Sequence, residues 1–386
     1  MAFDIAIVGG GLHGCVVALA VLHRRPAARI CLIEQAEMLG GTHTWALHSL
    51  DVPVEAQPWF APLVVQRWPG FDLQFPDGPQ RIALPYAAVT SDRLHQHVTH
   101  VLRRPACALL QGTAVTQVQA AHVELADGTQ VTADLVLDAR GAAGMAVAGR
   151  TGWQKFVGLH VQTGRPHGIA WPILMDATVP QRDDLCFVYV LPWSADRLLV
   201  EDTRFSNVAA LDVADQRAGC LAWLAARGHA DCSLQGEEQG VLPMPCQPLA
   251  LPDGGGPIPI GMAGGWMHPA TGYSLPMAVQ LAQWMAQRTA PEVRTQIGAV
   301  RLELAGRQKF ACLLNDLLFS ATEPARRWHA MARFHRLPPA LLARFYAMQL
   351  TSADQLRIFR WPPPDGVDLL QAARCVARTL KTARAN

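Results

Sequence analysis

The fold is decided near the N-terminus by Ile5-Ala6-Ile7-Val8, Gly9-Gly10-Gly11-Leu12-His13-Gly14, the apolar run CVVALAVLHRR and then, from Arg29 to Glu34, RICLIE. Four apolar residues read as a buried strand. The glycine run opens a helix-like segment, and a second apolar strand ends in an acid, which makes a βαβ unit of about thirty residues. Each glycine of Gly9-x-Gly11-x-x-Gly14 has a physical task. The first makes the tight turn, the second lets backbone N–H groups approach a pyrophosphate, and the third lets helix and strand pack closely. The helix N-terminus favours phosphate charge. Glu34 is placed to accept from ribose hydroxyls and disfavours a 2′-phosphate. A dinucleotide site is expected.

Beyond this unit the chain does not go on alternating strand and helix. Thr90–Val98 opens like a helix, Ala114–Val131 alternates around Asp127-Gly128 like a hairpin, and Ala133–Gly141 (ADLVLDARG) is another buried strand running into a glycine. Residues 153–205 are strand-rich, with CFVYVL (Cys186–Leu191) and RLLVEDTR (Arg197–Arg204). Pro243–Pro259 reads as a Pro/Gly-rich loop. From about residue 296 the spacing is helical, in Leu302–Phe319 and Arg326–Met348. A second glycine cluster, GMAGGWMHPATGYS (Gly261–Ser274), precedes a helix. This layout resembles FAD-containing monooxygenases and oxidoreductases, whose flavin domain is assembled from the N-terminus, a middle strand (here Asp138–Gly141) and a late segment. The late motif departs from that pattern: Met262 stands where those families carry an acid, and Ser274 where they carry a last glycine.

Composition sets bounds. The chain has 386 residues, half of them hydrophobic and 17% charged, which excludes a disordered chain. Nine cysteines, with no CxxC pair, read as reduced thiols in a cytosolic protein without a zinc site or disulfide framework. Ile5–Leu22 is apolar, but four glycines and His13 in its first half make it a poor spanning helix, and Asp4 argues against a secretory leader. Residues 301–386 carry 14 Lys+Arg against 6 Asp+Glu, although the whole chain is only +2. No metal site and no nucleic-acid partner are expected.

Five further segments, GGTHTW (Gly40–Trp45), WPILMDATV (Trp171–Val179), LLVEDTR (Leu198–Arg204), EEQGVLPM (Glu237–Met244) and HPATGYSLPMAV (His268–Val279), are together similar to bacterial lycopene β-cyclases, in order and rough spacing. LLNDLLF (Leu313–Phe319) and Leu341–Ile358 resemble that family's C-terminal region, so the resemblance covers nearly the whole chain. It implies conversion of the ψ-ends of lycopene, by way of γ-carotene, into β-ionone rings. The reaction is proton-initiated and has no net redox change, with reduced FAD and with NAD(P)H as a transient reductant. Gly254-Gly255-Gly256 is followed by Pro257, so no second fingerprint marks a standing NAD(P)H site. The resemblance implies cofactor contacts from Gly9, Gly10, Gly11, Leu12, Gly14, Glu34, Gly40, Gly41, Asp138, Gly141, Gly272, Tyr273 and Ser274.

It also implies catalysis at the acid motif Glu201-Asp202. Neighbours on a strand point to opposite faces, and Glu201 is expected to face the substrate while Asp202 is structural. Trp45, Trp171, Trp193, Trp266 and Tyr273 are either cation-stabilising aromatics or core, and His43 and His268 are expected to be hydrogen-bonded packing near the flavin. The expected architecture is α/β. A discontinuous Rossmann-like FAD-binding domain (1–50, 90–145, 255–295) joins a sheet-rich substrate domain (51–89, 146–254) and a helical C-terminal region (296–386). Other readings are a flavin oxidoreductase of the hydroxylase or prenyl-reductase type acting on an isoprenoid, or a non-catalytic carotenoid-binding flavoprotein. Since lycopene lives in lipid, peripheral association with the inner face of the cell membrane is expected. Arg326, Arg327, Arg333, Arg336 and Arg344, interleaved with Trp328, Met331, Phe334, Leu337 and Phe345, are its expected contact.

Overall fold

The computed structural model describes residues 2–141, 149–182, 184–249, 255–359 and 363–385; Gly254 of the triple-glycine loop lies outside them. The βαβ unit forms as read: strand Ala2–Val8, helix Leu12–Arg24 and strand Ile30–Ile33, with Ile5 opposite Ile30 and Val8 opposite Ile33 in parallel register. The strand Gln130–Asp138 lies on the other side of Ala2–Val8, also parallel, and Ile258–Pro259 pairs with its last two residues. Three distant parts of the chain thus end at one sheet edge. The helix Leu12–Arg24 is buried from Leu12 to Leu22 because it lies between this sheet and the helix Leu275–Ala286. A helix covered on both sides has to be apolar all round, which is why this one imitates a membrane span.

A second sheet of seven described strands runs, in spatial order, Ser233–Pro245, Thr151–Gln162, Arg197–Ser206, Leu185–Pro192, Ile173–Asp176, Phe71–Phe75 and Gly78–Ile82. A three-stranded sheet of Thr44–His48, Tyr86–Thr90 and Gln66–Trp68 lies outside both. The 31-residue helix Ala290–Ser320 packs on Thr151–Gln162 and Ser233–Pro245 and receives the last helix, Leu369–Ala385. No helix among the described residues is long and apolar enough to cross a membrane.

Three local expectations change. The helical region begins at Ala290, where Thr289 and Glu292 form a capping box, rather than near 296. Arg326–Met348 is not one helix: Pro338 separates Arg327–Phe334 from Pro339–Tyr346. Pro243 and Pro245 belong to a strand, not to a loop. That strand is the edge of its sheet, where a residue without an N–H costs no ladder bond.

The expected arginine face is also corrected. Arg327 is fully buried, donating to the carbonyls of Leu318 (3.0 Å) and Phe205 (3.1 Å) and to Asn207 Oδ1 (2.7 Å). Arg336 pairs with Asp77, Arg344 with Asp354, and Arg326 with Asp365. These side chains tie the C-terminal helices to the second sheet and to one another. Replacing Arg327 with Met leaves two buried carbonyls and an amide oxygen without their donor. We expect a stability loss of about 3 kcal/mol, read as a clear drop in Tm, whereas Arg336→Gln, at an exposed pair, changes Tm little.

Candidate active site

The glycine turn has the shape expected for a pyrophosphate cradle. Gly9 has φ +110°, and a Cβ there would lie 2.4 Å from the Ala139 carbonyl oxygen; one on Gly14 would lie 2.1 Å from the Gly9 oxygen, so helix and strand touch backbone to backbone. A Cβ on Gly11 would meet nothing within 4 Å. The first and third glycines are therefore demanded by packing, and the second faces open space at the N-terminus of the helix that begins with Leu12. Glu34 accepts from Gly10 N at 2.6 Å and from Ala36 N at 2.9 Å, which fixes its carboxylate beside the turn. Gly40 N donates to the Gly10 oxygen (2.9 Å), and Gly40 and Gly41 are both left-handed. Asp138 ends its strand paired with Arg140 (2.7 Å), and Gly141 follows with φ +77°. On the other side Gly272 (φ +65°) and Tyr273 lead to Ser274, which precedes the helix Leu275–Ala286.

Between the two sheets and the C-terminal helices lies a cavity of about 750 Å³. Glu201 reaches it from the strand Arg197–Ser206 and Trp45 from Thr44–His48. Met262 and the loop 270–274 line it on the flavin-sheet side. Its wall is mostly apolar or aromatic, chiefly Leu, Phe, Ala, Tyr and Met, so it suits a long apolar ligand. Glu201 has one hydrogen bond, accepted from Thr203 Oγ1 at 2.5 Å, and no cationic partner among the described residues. Burial raises its pKa to about 8, the nearby Glu238 adds to the rise, and Thr203 opposes it.

Asp202 occupies the other face. It accepts from Arg204 Nε at 2.9 Å and from Gln216 of the helix Val213–Ala226 at 3.2 Å, away from the cavity. The alternation separates an acid paired with an arginine from one that has a single hydroxyl partner and faces the cavity.

Of the aromatic residues singled out in the sequence, Trp45, Tyr273 and His43 line the cavity. Trp266 is core, Trp171 lies under Arg81 at 4.3 Å, and Trp193 sits 6.2 Å from Trp68. His268 is buried with Nε2 against the Phe345 carbonyl (3.0 Å), as packing. What the sequence reading missed is that all four tyrosines of the chain, Tyr86, Tyr189, Tyr273 and Tyr346, line this one space. The hydroxyls of Tyr86 and Tyr189 are 3.1 Å apart. Tyr273 donates to Asp51 Oδ2 (2.5 Å), a fully buried carboxyl whose pKa burial raises to about 7. The scarcity of tyrosine was the available signal, but nothing in its spacing announced convergence.

The cavity opens beside the C-terminal helices. Phe359 and Val376 both line it and remain exposed. Leu369, Ala373, Val376 and Leu380 fall on one face of the last helix, with both outer leucines more than 60% exposed.

The glycine geometry is directly testable. Gly14→Val should fold poorly, because its side chain has to displace backbone, whereas Gly11→Val should keep the parent's circular dichroism and melting temperature to within about 1 kcal/mol of stability.

The family described as Lycopene cyclase protein matches residues 4–371. A lycopene beta-cyclase of Pseudescherichia vulneris is 38% identical over 373 residues, covering 94% of each chain. One from Pantoea ananas is 37% identical over 392 residues, covering 98% of each. Among solved structures, a variant of the halogenase PltM in complex with FAD superimposes with a TM-score of 0.62 at 12% identity, over all of this chain and 92% of that one, which is likeness of fold. With the site geometry and these matches together, the chain belongs to the lycopene cyclase family.

Proposed function

We propose that the chain is a lycopene β-cyclase, closing β-ionone rings at the ψ-ends of lycopene and then of γ-carotene, with reduced FAD and no net redox change. The observation that carries the reading is Glu201: a buried carboxyl without a paired cation among the described residues, held only by the Thr203 hydroxyl and facing a largely apolar, tyrosine-edged cavity. Similarity to two lycopene beta-cyclases along nearly the whole chain supports the substrate.

The residues at the turn fit FAD. Gly11 leaves space against a helix N-terminus, Glu34 is fixed at the ribose end, and Gly272, Tyr273 and Ser274 lead into a second helix N-terminus. Gly9, Gly10, Leu12, Gly14, Gly40, Gly41, Asp138 and Gly141 complete the cradle. When bound, reduced flavin supplies an electron-rich ring that favours positive charge beside it. NAD(P)H is proposed as the reductant, meeting the protein transiently.

The chain's own groups do the proton work. Neutral Glu201 gives its proton to the terminal double bond of a ψ-end, leaving a tertiary cation that the next double bond attacks to close the ring. Return of a ring proton to the Glu201 carboxylate then gives the neutral ring and restores the acid. The aromatic walls stabilise the cation by roughly 0.5–2 kcal/mol per well-placed ring and keep water from trapping it.

Anaerobic incubation of purified protein, FAD and dithionite with lycopene in liposomes should give the absorption spectrum of cyclic product without consuming reductant per ring. A stoichiometric loss of reductant would instead mark an oxidoreductase. Glu201→Gln should lose at least about a hundredfold in rate at normal FAD content, while Gly11→Val loses FAD. Activity of Glu201→Gln within a few-fold of the parent would remove this acid from the mechanism.

The place of work follows from the substrate. At roughly 0.8 kcal/mol per buried carbon unit, lycopene has essentially no aqueous population, so the enzyme meets it at a bilayer. We place that contact at the exposed Leu369 and Leu380 beside the cavity mouth, on the cytoplasmic face of the membrane, in place of the paired arginines. Leu369→Ser with Leu380→Ser should cut co-flotation with liposomes several-fold, with little dependence on salt. Loss of binding in high salt alone would return the contact to the basic groups.

A further inference from the structure

Glu238 belongs to none of the roles above, yet it stands closest in kind to Glu201. The strand Thr151–Gln162 runs between theirs, and one residue of it, Gly158, pairs with Glu201 on one side and Glu238 on the other. All three residues therefore share one face of the sheet. Strands two apart lie roughly 10 Å from each other, a gap normally filled by the middle side chain. Here that side chain is absent. A Cβ on Gly158 would sit 3.1 Å from Glu238 Cγ, 3.1 Å from Leu199 Cδ1 and 3.6 Å from Glu201 Cβ. Glu238 thus leans over the glycine, and Glu201 flanks it on the other side.

Their surroundings differ. Glu238 is buried and accepts the backbone N–H of Thr44 at 2.7 Å, which favours a carboxylate, and His160 Nε2 lies 3.7 Å from Oε1. Glu201 has only the Thr203 hydroxyl, with Tyr189 and Tyr86 across the cavity and Asp202 turned to the opposite face, bound by Arg204. Burial and Arg197 lower the His160 pKa, and Asp92 opposes them. Two buried carboxyls on one face of a sheet, with only a glycine on the strand between them, resist being ionised together, and a single shared proton settles on the one with fewer donors.

We infer that Glu201 and Glu238 hold one proton between them across Gly158, and that ionised Glu238 is the positioning residue that keeps Glu201 protonated and ready to donate. Burial points the same way, since it raises both carboxyls and the charge on Glu238 raises Glu201 further. The inference rests on Glu201 being the acid of the proposed reaction.

The sign of the effect is fixed. Activity needs Glu201 protonated, so it falls as pH rises through the Glu201 pKa. Removing the charge of Glu238 lowers that pKa and brings the fall to lower pH.

The test is the pH–rate profile of the FAD-loaded enzyme, with the infrared band of protonated carboxyl groups followed over the same pH range. In Glu238→Gln the alkaline limb should move down by about one pH unit, the band assigned through Glu201→Gln should vanish at correspondingly lower pH, and FAD content should hold. Glu238→Asp, which keeps the charge, should restore most of the limb. An unmoved limb and band in Glu238→Gln, with Glu201→Gln inactive, would overturn the coupling and leave Glu201 as the acid. A fully active Glu201→Gln would overturn the reading beneath both. If Glu238→Gln fails to fold, Gly158→Ala serves: a methyl wedge between the carboxyls should shift the same limb and band downward, and an unchanged titration there rejects the inference.

Discussion

A carboxyl group that leaves water without a partner gives up its charge before it gives up its place, because the cost of burying the ion is several kcal/mol. This constraint organises the molecule around Glu201. The strand carries its charged neighbour Asp202 to the far face, where Arg204 and Gln216 satisfy it, and on the cavity side Glu201 has the Thr203 hydroxyl and a mostly apolar wall. The same desolvation that would destabilise an ordinary core keeps this carboxyl protonated where it faces the cavity.

The two sheets serve different ends of the chemistry and are joined where the ends meet. The flavin-type sheet brings Val8, Asp138 and Pro259 to one edge by parallel pairing, which positions the glycine turn. The antiparallel sheet presents Glu201 and Glu238 on one face by simple alternation. Thr44 and Tyr273 link them: Thr44 donates to Glu238, and Tyr273, from the loop after the second glycine cluster, donates to Asp51.

The C-terminal helices complete the cavity and determine how it opens. Of their arginines, which resemble a lipid-facing cluster in the sequence, Arg327 is buried among carbonyl oxygens and Arg326, Arg336 and Arg344 are held in ion pairs with carboxylates. The exposed surface at the mouth is instead apolar, in Phe359, Leu369, Val376 and Leu380.

The sequence by itself determined the βαβ unit, because strand period, glycine spacing and the terminal acid are local properties that packing only confirmed at Gly9 and Gly14. It also separated Glu201 from Asp202, since alternation along a strand is equally local. Only the tertiary structure decided what surrounds them. Glu238 lies 37 residues beyond Glu201 in the chain and meets it over a glycine of a third strand. Four scattered tyrosines converge on one cavity, and Asp51 is buried beneath Tyr273. The arginines of the C-terminal region were misread for the same reason. Composition records that a charge exists, while its partner is fixed by strand pairing and helix packing between residues far apart in the chain, and these leave no spacing for a reader to find.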